Sequence, residues 1–150
     1  MGAPLATAAP VTGPVTVNCG KLKAPAGKRF CAVANKANRI AFNQIKDSKF
    51  VGTRGDGEGV EDIYCANGRY ESRTSGSSGT AVSRGSFWRI EGATVRQGGK
   101  WIDAFLVSGS YEIGISRRGD QWQIGVASLG RILYPGDVTK SNAAADCAAL

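Results

Sequence analysis

The chain contains no histidine. It therefore lacks the one side chain whose ordinary pKa lies near neutrality, and with it the commonest zinc ligand. Histidine-based acid–base catalysis is excluded and metal catalysis is disfavoured. Long hydrophobic runs are missing as well: none reaches the ~18 residues that a membrane-spanning helix needs. Zinc-knuckle spacing is also absent, because Cys19, Cys31, Cys65 and Cys147 stand far apart. No metal, cofactor or membrane partner is expected.

What is present fits one globular domain. The 150 residues are 42% hydrophobic and 21% charged, ordinary usage for a folded chain. A domain of this size buries roughly 70% of the surface its unfolded chain exposes, enough for a core without a metal. Nineteen Lys and Arg against twelve Asp and Glu leave a net charge of +7, which favours polyanions such as RNA, or acidic surfaces.

Four widely spaced cysteines suit two disulfides and an oxidising compartment. Three pairings are open. Cys19–Cys147 is favoured because it ties the chain ends together, which leaves Cys31–Cys65; the alternative is four buried thiols. The opening Met1 to Pro10 has neither the basic start nor the apolar centre of a signal peptide, so secretion implies a leader already removed. Its Ala, Pro and Thr predict a mobile arm over 1–14, ahead of a single domain over 15–150.

Val15 to Cys19 alternates as a short strand. From Lys28 to Ile45, Phe30, Val33, Ala34, Ala37, Ile40, Ala41 and Ile45 recur at helical steps, interleaved with Lys28, Arg29, Lys36 and Arg39. That is one amphipathic helix. Lys49 to Gly59 is glycine-rich and predicts a loop; Glu61 to Cys65 predicts a strand, with Asn67-Gly68 as a turn. Thr74 to Ser86 reads as a flexible excursion. Strands follow at Phe87–Glu91, Trp101–Val107, Ser110–Ser116 and Gln121–Val126, with Arg118-Gly119-Asp120 as a hairpin turn and Arg131–Tyr134 as an edge strand. The order predicts an α+β fold, one helix packed on an antiparallel sheet.

This order resembles the fungal extracellular ribonuclease superfamily, which includes guanyl-specific ribonucleases, ribotoxins and ribonuclease-like effectors of plant pathogens. The resemblance is carried by Val15-Thr16-Val17-Asn18-Cys19-Gly20 before a single helix, and by Gly55-Asp56-Gly57-Glu58-Gly59. Phe87-Trp88-Arg89-Ile90, Ile102 to Val107 and Tyr111 to Gly119 are similar to its catalytic strands. It implies a microbial-ribonuclease-like domain in which Cys19 pairs with Cys147. It also implies that the former catalytic positions are Lys49, Phe87, Ala104 and Arg117. None of these replaces the proton-transfer groups such chemistry needs. Phenylalanine and alanine exchange no proton, and arginine stays charged. The expectation is a pseudoenzyme with no catalytic residues.

Lys49, Arg54, Arg89, Arg117 and Arg118 are candidate RNA-phosphate contacts, with Trp88, Trp101 and Trp122 as stacking surfaces. The competing reading puts Trp88 and Trp122 in the core and the cations in water. Arg54-Gly55-Asp56 and Arg118-Gly119-Asp120 both spell an adhesion tripeptide, but Gly-Asp is also ordinary turn chemistry. Glu58, Glu61 and Asp62 form an acidic knot without the spacing of a calcium loop. Glu71 and Glu91 are the carboxylates available as a surviving base.

The expected function is that of a secreted, monomeric fungal effector that binds host RNA or a host protein. The resemblance implies possible entry into host cells and recognition by a plant immune receptor. The alternatives are a ribonuclease that works without histidine, or a structural β-rich module.

Overall fold

The computed structural model describes residues 18–53, 57–76, 79–96, 101–108, 111–126, 131–132 and 138–150. Residues 1–14 (expected to form a mobile arm), most of the expected first strand, Arg54 and the Gly55-Asp56 pair lie outside these residues. Cys19–Lys21 form a single 3-10 turn, with the Asn18 side chain accepting from the Gly20 N–H at 3.1 Å.

Helix α1 runs Pro25–Ile45. Proline suits its first turn, where the missing N–H would have had no partner. Cys31, Ala37, Asn38, Ala41 and Ile45 are its buried residues, spaced to form one stripe. The helix stops before Asp47, whose φ of 49° lies in the left-handed region. There the Asp47 carboxylate accepts from the Ala66 N–H at 2.9 Å, and its carbonyl accepts from the Ala143 N–H at 2.8 Å. One residue thus ties the helix end to the turn at Ala66 and to Ala143 near the end of the chain.

Strands follow as β1 (Ser48–Thr53), β2 (Gly59–Tyr64), β3 (Arg69–Gly76), β4 (Gly79–Arg96), β5 (Trp101–Ser108), β6 (Tyr111–Arg118), β7 (Gln121–Val126), β8 (Arg131–Ile132) and β9 (Thr139–Asn142), with α2 at Ala144–Ala148. The class is α+β: one long helix with a nine-stranded sheet ordered β8-β7-β6-β5-β4-β3-β2-β1-β9, antiparallel between neighbours. The ends of that order meet. Val138, just before β9, bridges Trp122 of β7, and the Phe50 ring of β1 stands 5.2 Å from Trp122. The sheet therefore curls round on itself. Long β4 carries the curl, pairing with β3 over its first half and β5 over its second. Register shifts at Tyr70/Ser72 and Ile90/Gly92 mark its bends.

The concave side holds the core: Phe50, Val60, Tyr64, Trp88, Ile90, Ile102, Leu106, Ile113, Ile115, Trp122 and Ile124, joined by Ala41 and Ile45 of α1. Phe42 stacks on Trp88 at 5.3 Å, and Tyr64 meets Trp88 edge-on at 5.3 Å. The Trp88 indole N–H donates to the Cys65 carbonyl at 2.9 Å, so the largest buried side chain has its polar atom satisfied. Trp88 and Trp122 are core residues.

Three expectations are corrected. Residues 48–53 form β1 rather than a loop, because Ser48 and Phe50 turn inward while Val51 faces water. The excursion at Thr74 to Ser86 belongs to the β3–β4 pair: β3 lies between β2 and β4, and the first half of β4 pairs with β3. The disulfides are Cys19–Cys31 and Cys65–Cys147, not Cys19–Cys147 and Cys31–Cys65. Cys19 sits in the turn leading into α1, which places its Cα 5.7 Å from that of Cys31. Strand β9 pairs with β1, so α2 lands on the outer side of β2, where Cys147, Ile63, Cys65 and Ala143 form a second apolar cluster.

Candidate binding surface

The four positions of the expected former catalytic site do not share a face. Register places Ala104 and Arg117 on the concave side with Ile102 and Ile115, and Ala104 is buried core. Lys49 and Phe87 belong to the opposite, convex side, paired with Ile63 and Arg69 respectively. No cleft gathers the four.

Four of the five expected RNA contacts fall on described residues, and these four are dispersed and already engaged. The Lys49 Nζ lies 3.6 Å from Glu61 and 3.9 Å from Asp146. Arg89 meets Glu91 at 2.6 Å, and Arg118 meets Asp103 at 3.4 Å. Arg117 donates to the Gly119 carbonyl at 2.7 Å and to the Gln44 side-chain oxygen at 3.0 Å, and its guanidinium lies 5.5 Å over Trp122. Each cation has a protein partner, and Arg117 acts as a brace between helix and sheet.

The carboxylates are engaged likewise. Glu71, fully buried on the convex side, lies 2.6 Å from Arg73, which also reaches Glu61 at 3.2 Å and Asp146 at 4.0 Å. This network locks α2 over β2 and β3. The acidic knot divides between faces: Glu61 joins that network, while Asp62 turns inward and accepts from the Ser72 hydroxyl at 2.7 Å.

A shallow groove of about 570 Å³ crosses the convex side of β4, β5 and β6. Its floor is the row Gly92, Phe105, Gly114, continued by Gly125 of β7, with Phe105 38% exposed. Its two acids, Glu91 and Asp103, are the partners of Arg89 and Arg118, so its polar rim is internally neutralised.

A different surface stands out. Residues 18–46 contain seven Lys and Arg and none of the twelve Asp and Glu. The twelve cations elsewhere balance the twelve acids, so this segment carries the entire net charge of +7. Lys21, Lys23, Lys28, Arg29, Lys36 and Arg39 are all exposed. Among the described residues, none of the six reaches a carboxylate. The Cys19–Cys31 bond pins the leading turn to the helix, and the Asn35 side-chain amide donates to Cys19 Sγ at 3.2 Å. These cations therefore sit on a stiff arm. Four of them are visible in the sequence as polar positions of the helix; the signal that marks them as a site is where the acids are missing.

The two disulfides are consistent with an extracellular protein, and no helix of the described residues is long and apolar enough to cross a membrane. Comparison with known proteins found no matching family model, no matching curated protein and no matching solved structure.

Proposed function

We propose that this is a secreted, non-enzymatic binding protein whose basic arm, residues 18–46, docks on a polyanionic partner. The observation that carries this reading is the segregation of charge: a +7 arm on an otherwise neutral body. Concentrated charge of one sign raises the local concentration of a polyanion and speeds encounter, while balanced surfaces do neither. Binding rather than catalysis is supported by the engagement of Glu61, Glu71, Glu91, Asp103 and Asp146 with Arg or Lys.

Heparin serves as the probe. The wild-type protein binds it with an affinity that falls steeply with salt, as release of bound counterions requires. The triple variant Lys28→Glu, Arg29→Glu, Lys36→Glu loses about a hundredfold or more at low salt. The triple variant Lys49→Gln, Arg89→Gln, Arg118→Gln changes affinity by less than about threefold, because those charges are already paired. Strong loss in the second variant with retention in the first would overturn the reading.

A further inference from the structure

The basic arm also exposes apolar side chains. Phe30 lies on the line of Ala37 and Ala41, so it continues the buried stripe of α1 past the sheet, and it is 78% exposed. Val33, one turn on, is 67% exposed, and Leu22 is 40% exposed beside Gly27. Neither Phe30 nor Val33 joins a packed cluster among the described residues. Lys21 and Lys23 flank Leu22 in the sequence, and Lys28, Arg29 and Lys36 lie within three residues of Phe30 or Val33.

We infer that the polyanion is an anionic lipid bilayer, on which the arm lies with Phe30, Val33 and Leu22 entering the headgroup region. The inference rests on the polyanion reading and adds the chemistry of the surface. A helix end that exposes both cations and apolar side chains has the form of an interfacial element, which lies on a membrane without spanning it. Its cations meet the lipid phosphates while its apolar groups leave water. Nucleic acid fits less well: two of the three apolar groups are aliphatic and offer no ring for a base to stack on. The apolar residues stand proud of the helix, a shape that a fluid bilayer accommodates.

The experiment compares sedimentation with vesicles of phosphatidylglycerol and phosphatidylcholine in equal parts against phosphatidylcholine alone. The full chain is to bind the first and not the second. Phe30→Ser with Val33→Ser, which keeps every charge, is to weaken vesicle binding by about tenfold or more. Heparin affinity and melting temperature are to stay unchanged, since both side chains are already in water. Heparin binding without vesicle binding overturns the lipid inference and leaves the polyanion reading standing. So does vesicle binding indifferent to the double substitution, or a dimer or RNA complex that alone depends on Phe30. Loss of both heparin and vesicle binding in the wild type overturns both.

Discussion

Trp88 ties β4 to three other parts of the fold. It stacks on α1 through Phe42, meets Tyr64 of β2 edge-on, and donates to the Cys65 carbonyl beside the second disulfide. Trp88→Ala is expected to cost about 3–5 kcal/mol in urea unfolding, the range for deleting a buried aromatic. Trp88→Phe is expected to cost less, because most of the packing volume stays. Arg73 offers a sharper test. Arg73→Met leaves Glu71 buried without its 2.6 Å partner and is expected to destabilise by about 3 kcal/mol. Adding Glu71→Met should recover most of that loss, since an apolar pair in a buried site is commonly neutral. A double variant no more stable than Arg73→Met would show that the network does something other than satisfy Glu71. At this scale the sequence was partly legible. Tryptophans at alternating strand positions point to a core; the burial of Glu71 does not show, because Glu71 takes part in no apolar pattern of its own and pairs across the sheet with Ile63, on which residues from the far end of the chain pack.

The elements that the sequence announced are those with local causes. Helix α1 is written in its spacing, and the turns at Gly68 and Gly119, with φ of 91° and 61°, are written in Asn67-Gly68 and Arg118-Gly119-Asp120. Strands β1 and β3 and the first half of β4 were hidden because Gly, Ser and Thr make up half or more of each. Their stability comes from neighbours in the sheet, on both sides for β1 and β3 and from β3 for the first half of β4, which no short window contains. The disulfides were misread for a related reason: pairing follows topology, and the topology puts α2 over β2. The Cys65–Cys147 bond closes 82 residues, worth about 4.5 kcal/mol in the loop-closure model, against about 3 kcal/mol for the 12-residue separation of Cys19–Cys31. Replacing Cys65 and Cys147 with Ser should therefore lower stability more than replacing Cys19 and Cys31. The second pair of substitutions should lower stability by less and should also loosen the arm, read as faster amide exchange over residues 19–31. Equal loss from both pairs would contradict this division between a body clamp and an arm clamp.

For the whole molecule, the decisive arrangement is electrostatic. A body of twelve cations and twelve acids, many of them paired across the convex face, carries an arm with seven cations and no acid. Charge totals were readable from composition, but the expected contacts at Lys49, Arg89, Arg117 and Arg118 came from a resemblance, and the fold gives each of them a partner instead. The most direct test of the account is a lysine-modification footprint read by mass spectrometry, with and without saturating heparin. The account predicts protection of Lys21, Lys23, Lys28 and Lys36, with Lys49 and Lys140 as reactive as in the free protein. Protection at Lys49 or Lys140, with the arm lysines left reactive, would contradict it.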